Sequence, residues 1–175
     1  SGLGSEVRRR TDCLDAGGNT TAAVGKGFAI GSAALVATAL YSAFCLGVGD
    51  IVYLNNKFTF LGLLIGAGLP FIFAAMLMTS VARAAQEMLK ECFRQFPKIV
   101  NGEKEPDYDK CIQISTRASL REMVIPGLIV IIFPLMGGIM LGANFVSGLL
   151  VGILLSGLLL AIAMSNSGGA YDNAK

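Results

Sequence analysis

The feature that most limits what this chain can fold into is where its charges are missing. No Asp, Glu, Lys or Arg occurs from residue 27 to 49, from 58 to 82, or from 123 to 171, runs of 23, 25 and 49 residues. A helix needs about 20 apolar residues to cross the hydrocarbon core of a bilayer, so the first two runs suit one span each and the third suits two. Composition agrees: 54% of residues are hydrophobic and only 15% charged, against about 25% charged in a soluble domain. The predicted fold is an all-α, polytopic transmembrane helix bundle with spans at 27–49, 58–82, 124–141 and 145–164. The longest run must turn once, and Gly142, Ala143 and Asn144 are the best place for it.

The remaining charges are unevenly spread. Arg8, Arg9, Arg10 and Lys26 precede the first span, and eight Lys/Arg residues occupy 83–122 between the second and third. The other two connections hold Lys57 and nothing. By the positive-inside rule, both ends of the chain and the 83–122 connection are expected in the cytoplasm. An even number of spans fits that arrangement. A net charge of +2 and the lack of a Lys/Arg run interleaved with aromatics give no reason to expect a nucleic-acid partner. The four cysteines have no CxxC spacing and no histidine to join them, so free thiols are expected rather than zinc. The chain opens at Ser1 without a signal-peptide pattern, closes straight after a polar cluster, and reads as an excerpt of a longer protein.

Glycines recur four apart at Gly27 and Gly31, Gly62 and Gly66, and Gly148 and Gly152, spacing that lets helix backbones approach closely in lipid. Pro70, Pro126 and Pro134 lie inside spans and predict kinks. The middle segment reads as helical, with an apolar stripe of Met88, Leu89, Cys92, Phe93 and Phe96. A turn region follows from Pro97 to Asp109. A third helix starts either at a capping box of Ser119 and Glu122 or nearer Asp107.

Chemistry concentrates at two polar segments. Residues 1–26 lead into the first span, and there Asp15, Asn19, Ala22 and Lys26 fall on one helical stripe. Read as structure alone, Lys26 is a snorkelling residue at the membrane edge, and Asp15 and Asn19 face water. Read as a site, the stripe offers a carboxylate, an amide and an ammonium to a ligand. Residues 165–175 form the second segment, with Asp172 and Lys175 three apart. The expected topology puts both on one side, where they can meet. A carboxylate and an amide are hard oxygen ligands suited to Mg²⁺. Lysines supply point charges for phosphate. A magnesium–phosphate ligand therefore fits better than an organic cation or a sugar. The lack of histidine excludes Ser-His-Asp or Cys-His catalysis within the chain, and neither GxxxxGK[ST] nor a post-strand GxGxxG is present.

At these residues a resemblance emerges. RRRTDCLDAGGNTTAAVGKGFAIGSAAL, PDYDKCIQISTRASLREM and SNSGGAYDNAK closely resemble segments of the membrane-bound, ion-translocating inorganic pyrophosphatases. The resemblance covers essentially the whole chain. It implies a subunit of about sixteen transmembrane helices, of which this chain holds four from the C-terminal half, and a homodimer. It also implies Mg²⁺-dependent hydrolysis of inorganic pyrophosphate coupled to H⁺ transport, with Na⁺ transport as the alternative. A non-enzymatic transporter or scaffold subunit is the less favoured reading. The implied setting is the lipid bilayer of a vacuolar or other acidic-organelle membrane in a eukaryote, or the cell membrane in a prokaryote.

Residue by residue, the resemblance implies that Asn19 and Asp172 help hold Mg²⁺ and that Lys26 and Lys175 contact phosphate. Asp12 and Asp15 match carboxylates near the site, and no ligand role is assigned to them. The water-activating aspartates and the ion gate of the family lie on helices outside this chain, so no catalytic residue is expected within it. The family divides into K⁺-dependent members with Ala at the position of Ala22 and K⁺-independent members with Lys there, the latter commonly with Thr at the position of Gly25. Ala22 and Gly25 match the K⁺-dependent type, so K⁺ is expected as an activator. Cys13, Gly17, Ser167 and Tyr171 depart mildly from the family pattern, and none removes a ligand type.

Overall fold

A computed structural model describes residues 4–49 and 52–174. Five helices follow in order: α1 (Ser5–Val48), α2 (Lys57–Val100), α3 (Tyr108–Glu122), α4 (Val124–Leu141) and α5 (Ala143–Asn173). The described residues contain no strand. Among the described residues, four stretches are long and apolar enough to cross a membrane, namely α1, α2, α5 and the run from Tyr108 to Leu141. Large apolar side chains such as Leu35 (75% exposed) and Ile139 (81%) point outward, an orientation suited to lipid or to other helices.

Each helix end has a local cause. Gly49 ends α1 in a left-handed conformation, its N–H donating to the Cys45 carbonyl. α2 closes in a Schellman motif: Glu103 N–H donates to Lys98 O at 2.9 Å, Gly102 N–H to Ile99 O at 3.0 Å, and Gly102 takes φ 73°. α2 thus runs through Pro97, which the sequence reading assigned to a turn. Proline removes only the bond to the Phe93 carbonyl, and its own carbonyl still accepts from Asn101 N–H at 3.2 Å. Asp107 caps α3 by accepting from Lys110 N–H at 3.0 Å. The Ser119–Glu122 box does not form, because the Glu122 carboxylate accepts from Ser80 Oγ at 2.7 Å. Pro126, expected to kink a span, instead lies in the first turn of α4, where its missing N–H explains the break at Met123. α5 starts at Gly142, whose φ of 84° favours glycine.

The chain forms two compact units, dividing between Phe71 and Ile72 and between Met136 and Gly137. In the unit comprising 4–71 and 137–174, α2 and α5 meet through their glycines. A methyl on Gly62 or Gly148 would overlap the carbonyl oxygen of Phe145 or Thr59, and on Gly66 or Gly152 that of Leu149 or Leu63. Phe145 and Leu149 are fully buried beside this seam. Close approach replaces the hydrophobic drive that lipid cannot supply. At Gly27 and Gly31, the third expected pair, a Cβ would meet no atom within 4 Å among the described residues.

In the unit of 72–136, α2 and α3 form a hairpin held by polar side chains. Gln95 Nε2 donates to the Glu91 carboxylate at 2.7 Å and to the Asp107 carbonyl at 3.3 Å, while Gln95 Oε1 accepts from Asp107 N–H at 2.8 Å. Arg94 Nε donates to Glu91 at 2.9 Å. Arg94, followed by Gln95, pulls the Glu91 carboxyl down to about 2, both favouring its charged form. The packing face of α2 here includes Met88, Glu91, Cys92 and Gln95, whereas Leu89, Phe93 and Phe96 are exposed. The expected apolar stripe is therefore rotated toward polar partners.

Candidate functional site

α1 is one unbroken helix from Ser5 to Val48, so Asp15, Asn19, Ala22 and Lys26 share a helical stripe. α5 lies alongside it in the opposite direction. Asn19 pairs with Asn173, Ala23 lies opposite Gly169, and Tyr41 pairs with Ser147. A Cβ on Gly169 would approach the Ala23 methyl to 3.2 Å, which shows why two small residues face each other here. The two polar segments expected to meet do so along this seam.

At the polar end of the seam, Asn19 Nδ2 donates to Asp15 Oδ2 at 3.4 Å and to Asn173 Oδ1 at 3.2 Å. Asn173 Nδ2 donates to Thr20 Oγ1 at 3.4 Å, and Thr20 Oγ1 donates to the Ala16 carbonyl at 2.9 Å. Four residues before Gly169, Ser165 Oγ is buried with no hydrogen-bond partner among the described residues. Farther along, Tyr41 and Ser147 hydroxyls lie 2.9 Å apart. An apolar groove of about 480 Å³ beside α1 and α5 is lined by residues including Ile30, Ala34, Tyr41, Leu154 and Gly157.

Of the expected site residues, Asn19 is half-buried in the seam, and Asp172 lies on the last turn of α5, next to Asn173 and solvent-exposed. Ala22, Gly25 and Lys26 are exposed on α1, and a Cβ at Gly25 would meet open space. Lys175 lies outside the described residues. Asp12 is exposed and sits 3.9 Å from Arg8. Arg9 and Arg10 both bond the Glu6 carboxylate at 3.0 Å, and these two arginines hold its carboxyl below the ordinary value. That cluster is exposed and adds little stability.

Sequence reasoning missed Thr20, Ala23, Gly169 and Asn173 as the residues that join the two helices. The signal was faint: two Asn residues 154 apart become partners only when α5 runs antiparallel to α1. The donor chemistry suits Mg²⁺, since Asn19 Oδ1 and the carboxylate of Asp172 are hard oxygens. No cluster of three His, Cys, Asp or Glu able to hold a metal occurs among the described residues.

A family model described as inorganic H⁺ pyrophosphatase matches residues 1–175, the full chain. The chain belongs to the inorganic H⁺ pyrophosphatase family. With its four long apolar helices, this pyrophosphatase-family chain is an integral, polytopic membrane protein. A relative from Clostridium tetani, named provisionally as a K⁺-stimulated pyrophosphate-energized sodium pump, is 51% identical over 179 residues, covering 100% of the chain and 27% of the relative. The K⁺-insensitive pyrophosphate-energized proton pump of Methanosarcina mazei is 44% identical over 179 residues, covering 99% of the chain and 27% of the relative. The K⁺-stimulated pyrophosphate-energized sodium pump of Thermotoga maritima is 44% identical over 188 residues, covering 99% of the chain and 26% of the relative. The chain thus spans about a quarter of the length of these relatives. Both K⁺ classes and both pumped ions occur among them.

Proposed function

We propose that this segment supplies one wall of the pyrophosphate site in a membrane pump that couples Mg²⁺-dependent pyrophosphate hydrolysis to ion transport. The observation that carries this reading is the meeting of the Asn19 region of α1 with the Asp172 turn of α5. Asn19 presents its amide oxygen and Asp172 its carboxylate as hard ligands. Lys26 and Lys175 hold phosphate oxygens through single ammonium charges. Bound Mg²⁺ supplies charge neutralisation for the substrate and the leaving phosphate. Both chain ends and the 83–122 connection face the cytoplasm, with spans at 27–49, 58–82, 124–141 and 145–164, as the lysine and arginine distribution supports. Water activation and the ion path belong to other helices of the intact protein, since no span here carries a central charge.

K⁺ activates this pump. Ala22 lies exposed one turn from both Asn19 and Lys26, and its small side chain leaves room for a monovalent cation. A lysine there carries the same single charge on a flexible stem and replaces the cation permanently. The pumped ion is H⁺ by the sequence reading. Na⁺ is the second reading, favoured by the sodium-pump names of the K⁺-stimulated relatives from Clostridium and Thermotoga.

The test is hydrolysis by the intact protein at fixed Mg²⁺ and pyrophosphate, with K⁺ varied against a bulky organic cation. Wild type is expected to be accelerated by K⁺, and Ala22→Lys to be insensitive to it. Equal wild-type rates with and without K⁺ reject the K⁺ assignment. Adding Na⁺ to the same assay separates the ions: a Na⁺ requirement for turnover selects the second reading.

A further inference from the structure

An asparagine side chain that serves a metal must turn its oxygen, not its nitrogen, toward the ligand, and the two ends of the amide are nearly the same size. In this chain the choice is made by a hydrogen-bond relay that begins at a backbone carbonyl. The Ala16 carbonyl can only accept, so the Thr20 hydroxyl spends its proton there at 2.9 Å. Thr20 Oγ1 is thereby left as an acceptor, and Asn173 turns its Nδ2 toward it at 3.4 Å. That orientation aims Asn173 Oδ1 at Asn19, whose Nδ2 donates to it at 3.2 Å. The Asp15 carboxylate, also an acceptor, takes a second bond from the same Nδ2 at 3.4 Å. Asn19 Nδ2 is thus held by two acceptors, Asp15 on its own helix and Asn173 across the seam, and the amide oxygen Oδ1 is left outside the relay.

We propose that Asn173, polarised by Thr20, is a positioning residue that holds Asn19 with its amide oxygen outward to receive Mg²⁺. This rests on the reading of Asn19 as a metal group. Asn173 adjoins Asp172, so one turn of α5 supplies a carboxylate ligand and the residue that orients the ligand on the neighbouring helix. The relay crosses between helices, which links the Mg²⁺ affinity of α1 to the seating of α5. Removing the partner that orients a metal ligand typically weakens metal binding by about 10–100-fold.

The experiment uses the intact protein with Asn173→Ala, Thr20→Val, Asn173→Asp, Asn19→Ala and the double variant Asn19→Ala with Asn173→Ala. Two quantities are read: the Mg²⁺ concentration giving half-maximal hydrolysis, and the Mg²⁺ concentration giving half of the metal-induced rise in thermal unfolding temperature without pyrophosphate. Asn173→Ala and Thr20→Val are expected to raise both midpoints by roughly tenfold, at the low end of the range for orienting partners. The effect falls more on the midpoint than on the rate at saturating Mg²⁺. Asn173→Asp, which still accepts from Asn19, is expected to restore most of the affinity. Asn173→Ala should add nothing once Asn19 is alanine. If Asn19→Ala shifts the midpoints while Asn173→Ala and Thr20→Val do not, the relay is overturned and the metal reading of Asn19 survives. If Asn19→Ala leaves both midpoints unmoved, the metal reading itself fails and the relay with it. Should Asn173→Ala not accumulate in the membrane, Thr20→Val decides the matter, because it removes the exposed hydroxyl that sets the polarity and keeps the side-chain shape.

Discussion

Gly148 and Gly31 belong to the same sequence pattern but not to the same packing, and changing each to alanine separates the two. At Gly148 the new methyl would overlap the Thr59 carbonyl oxygen and lie 2.8 Å from Thr59 C and 3.0 Å from Leu63 N. These are backbone atoms and cannot rotate aside, whereas apolar contacts prefer about 3.5–4.0 Å. The α2–α5 seam must therefore open by more than about 1 Å, which forfeits at least about a quarter of each contact across it. Fully buried Leu149 sits in that seam. A buried leucine makes about 40–60 contacts of about 0.1–0.2 kcal/mol each, so losing a quarter costs about 1–3 kcal/mol. At Gly31 the methyl meets open space. Both variants share the gain in helix propensity, about 1 kcal/mol, so their difference isolates the packing cost. The assay is unfolding of the chain in mixed micelles by titrated dodecyl sulfate, followed by energy transfer between dyes at Asn55 and Met140. Gly148→Ala is expected to be less stable than Gly31→Ala by about 1–3 kcal/mol. Equal stability of the two variants would refute the backbone-contact account of the seam.

Glu91 has its carboxyl lowered from 4.5 to about 2 by Arg94 and Gln95. A depressed carboxyl contributes stability above its unfolded value, and that stability is lost as pH falls toward the folded value. The α2–α3 hairpin should therefore show constant amide protection above about pH 4.5 and lose it between about pH 4.5 and 2, and Glu91→Gln should flatten the dependence in a pH series of hydrogen exchange. Lys26→Ala in the intact protein should lower the hydrolysis rate by about 2–4 kcal/mol of transition-state stabilisation with membrane level unchanged; near-normal activity would identify Lys26 as a membrane-edge anchor. Cysteines placed at Asn55 and Gly102 should react with an impermeant thiol reagent from opposite faces of the bilayer, Gly102 from the cytoplasmic one. Labelling of both from the same face rejects the proposed orientation.

The sequence by itself determined that the chain is helical and membrane-spanning, because a charge-free run longer than about 20 residues has few other stable states. It also placed the turn before α5 within Gly142 to Asn144, and the structure narrows it to Gly142, whose positive φ favours a residue without a Cβ. It further placed Asp15, Asn19, Ala22 and Lys26 on one helical stripe, which the unbroken α1 keeps. The tertiary structure alone decided which glycine pairs pack: Gly62, Gly66, Gly148 and Gly152 meet backbone, and Gly27 and Gly31 meet nothing among the described residues. Spacing places residues on one face of a helix, but only the partner helix determines which face is used. The same reason hid Asn173 and Thr20. A hydrogen bond between residues 154 positions apart has no local trace in the chain, and it exists only because α5 lies antiparallel to α1 with Gly169 against Ala23.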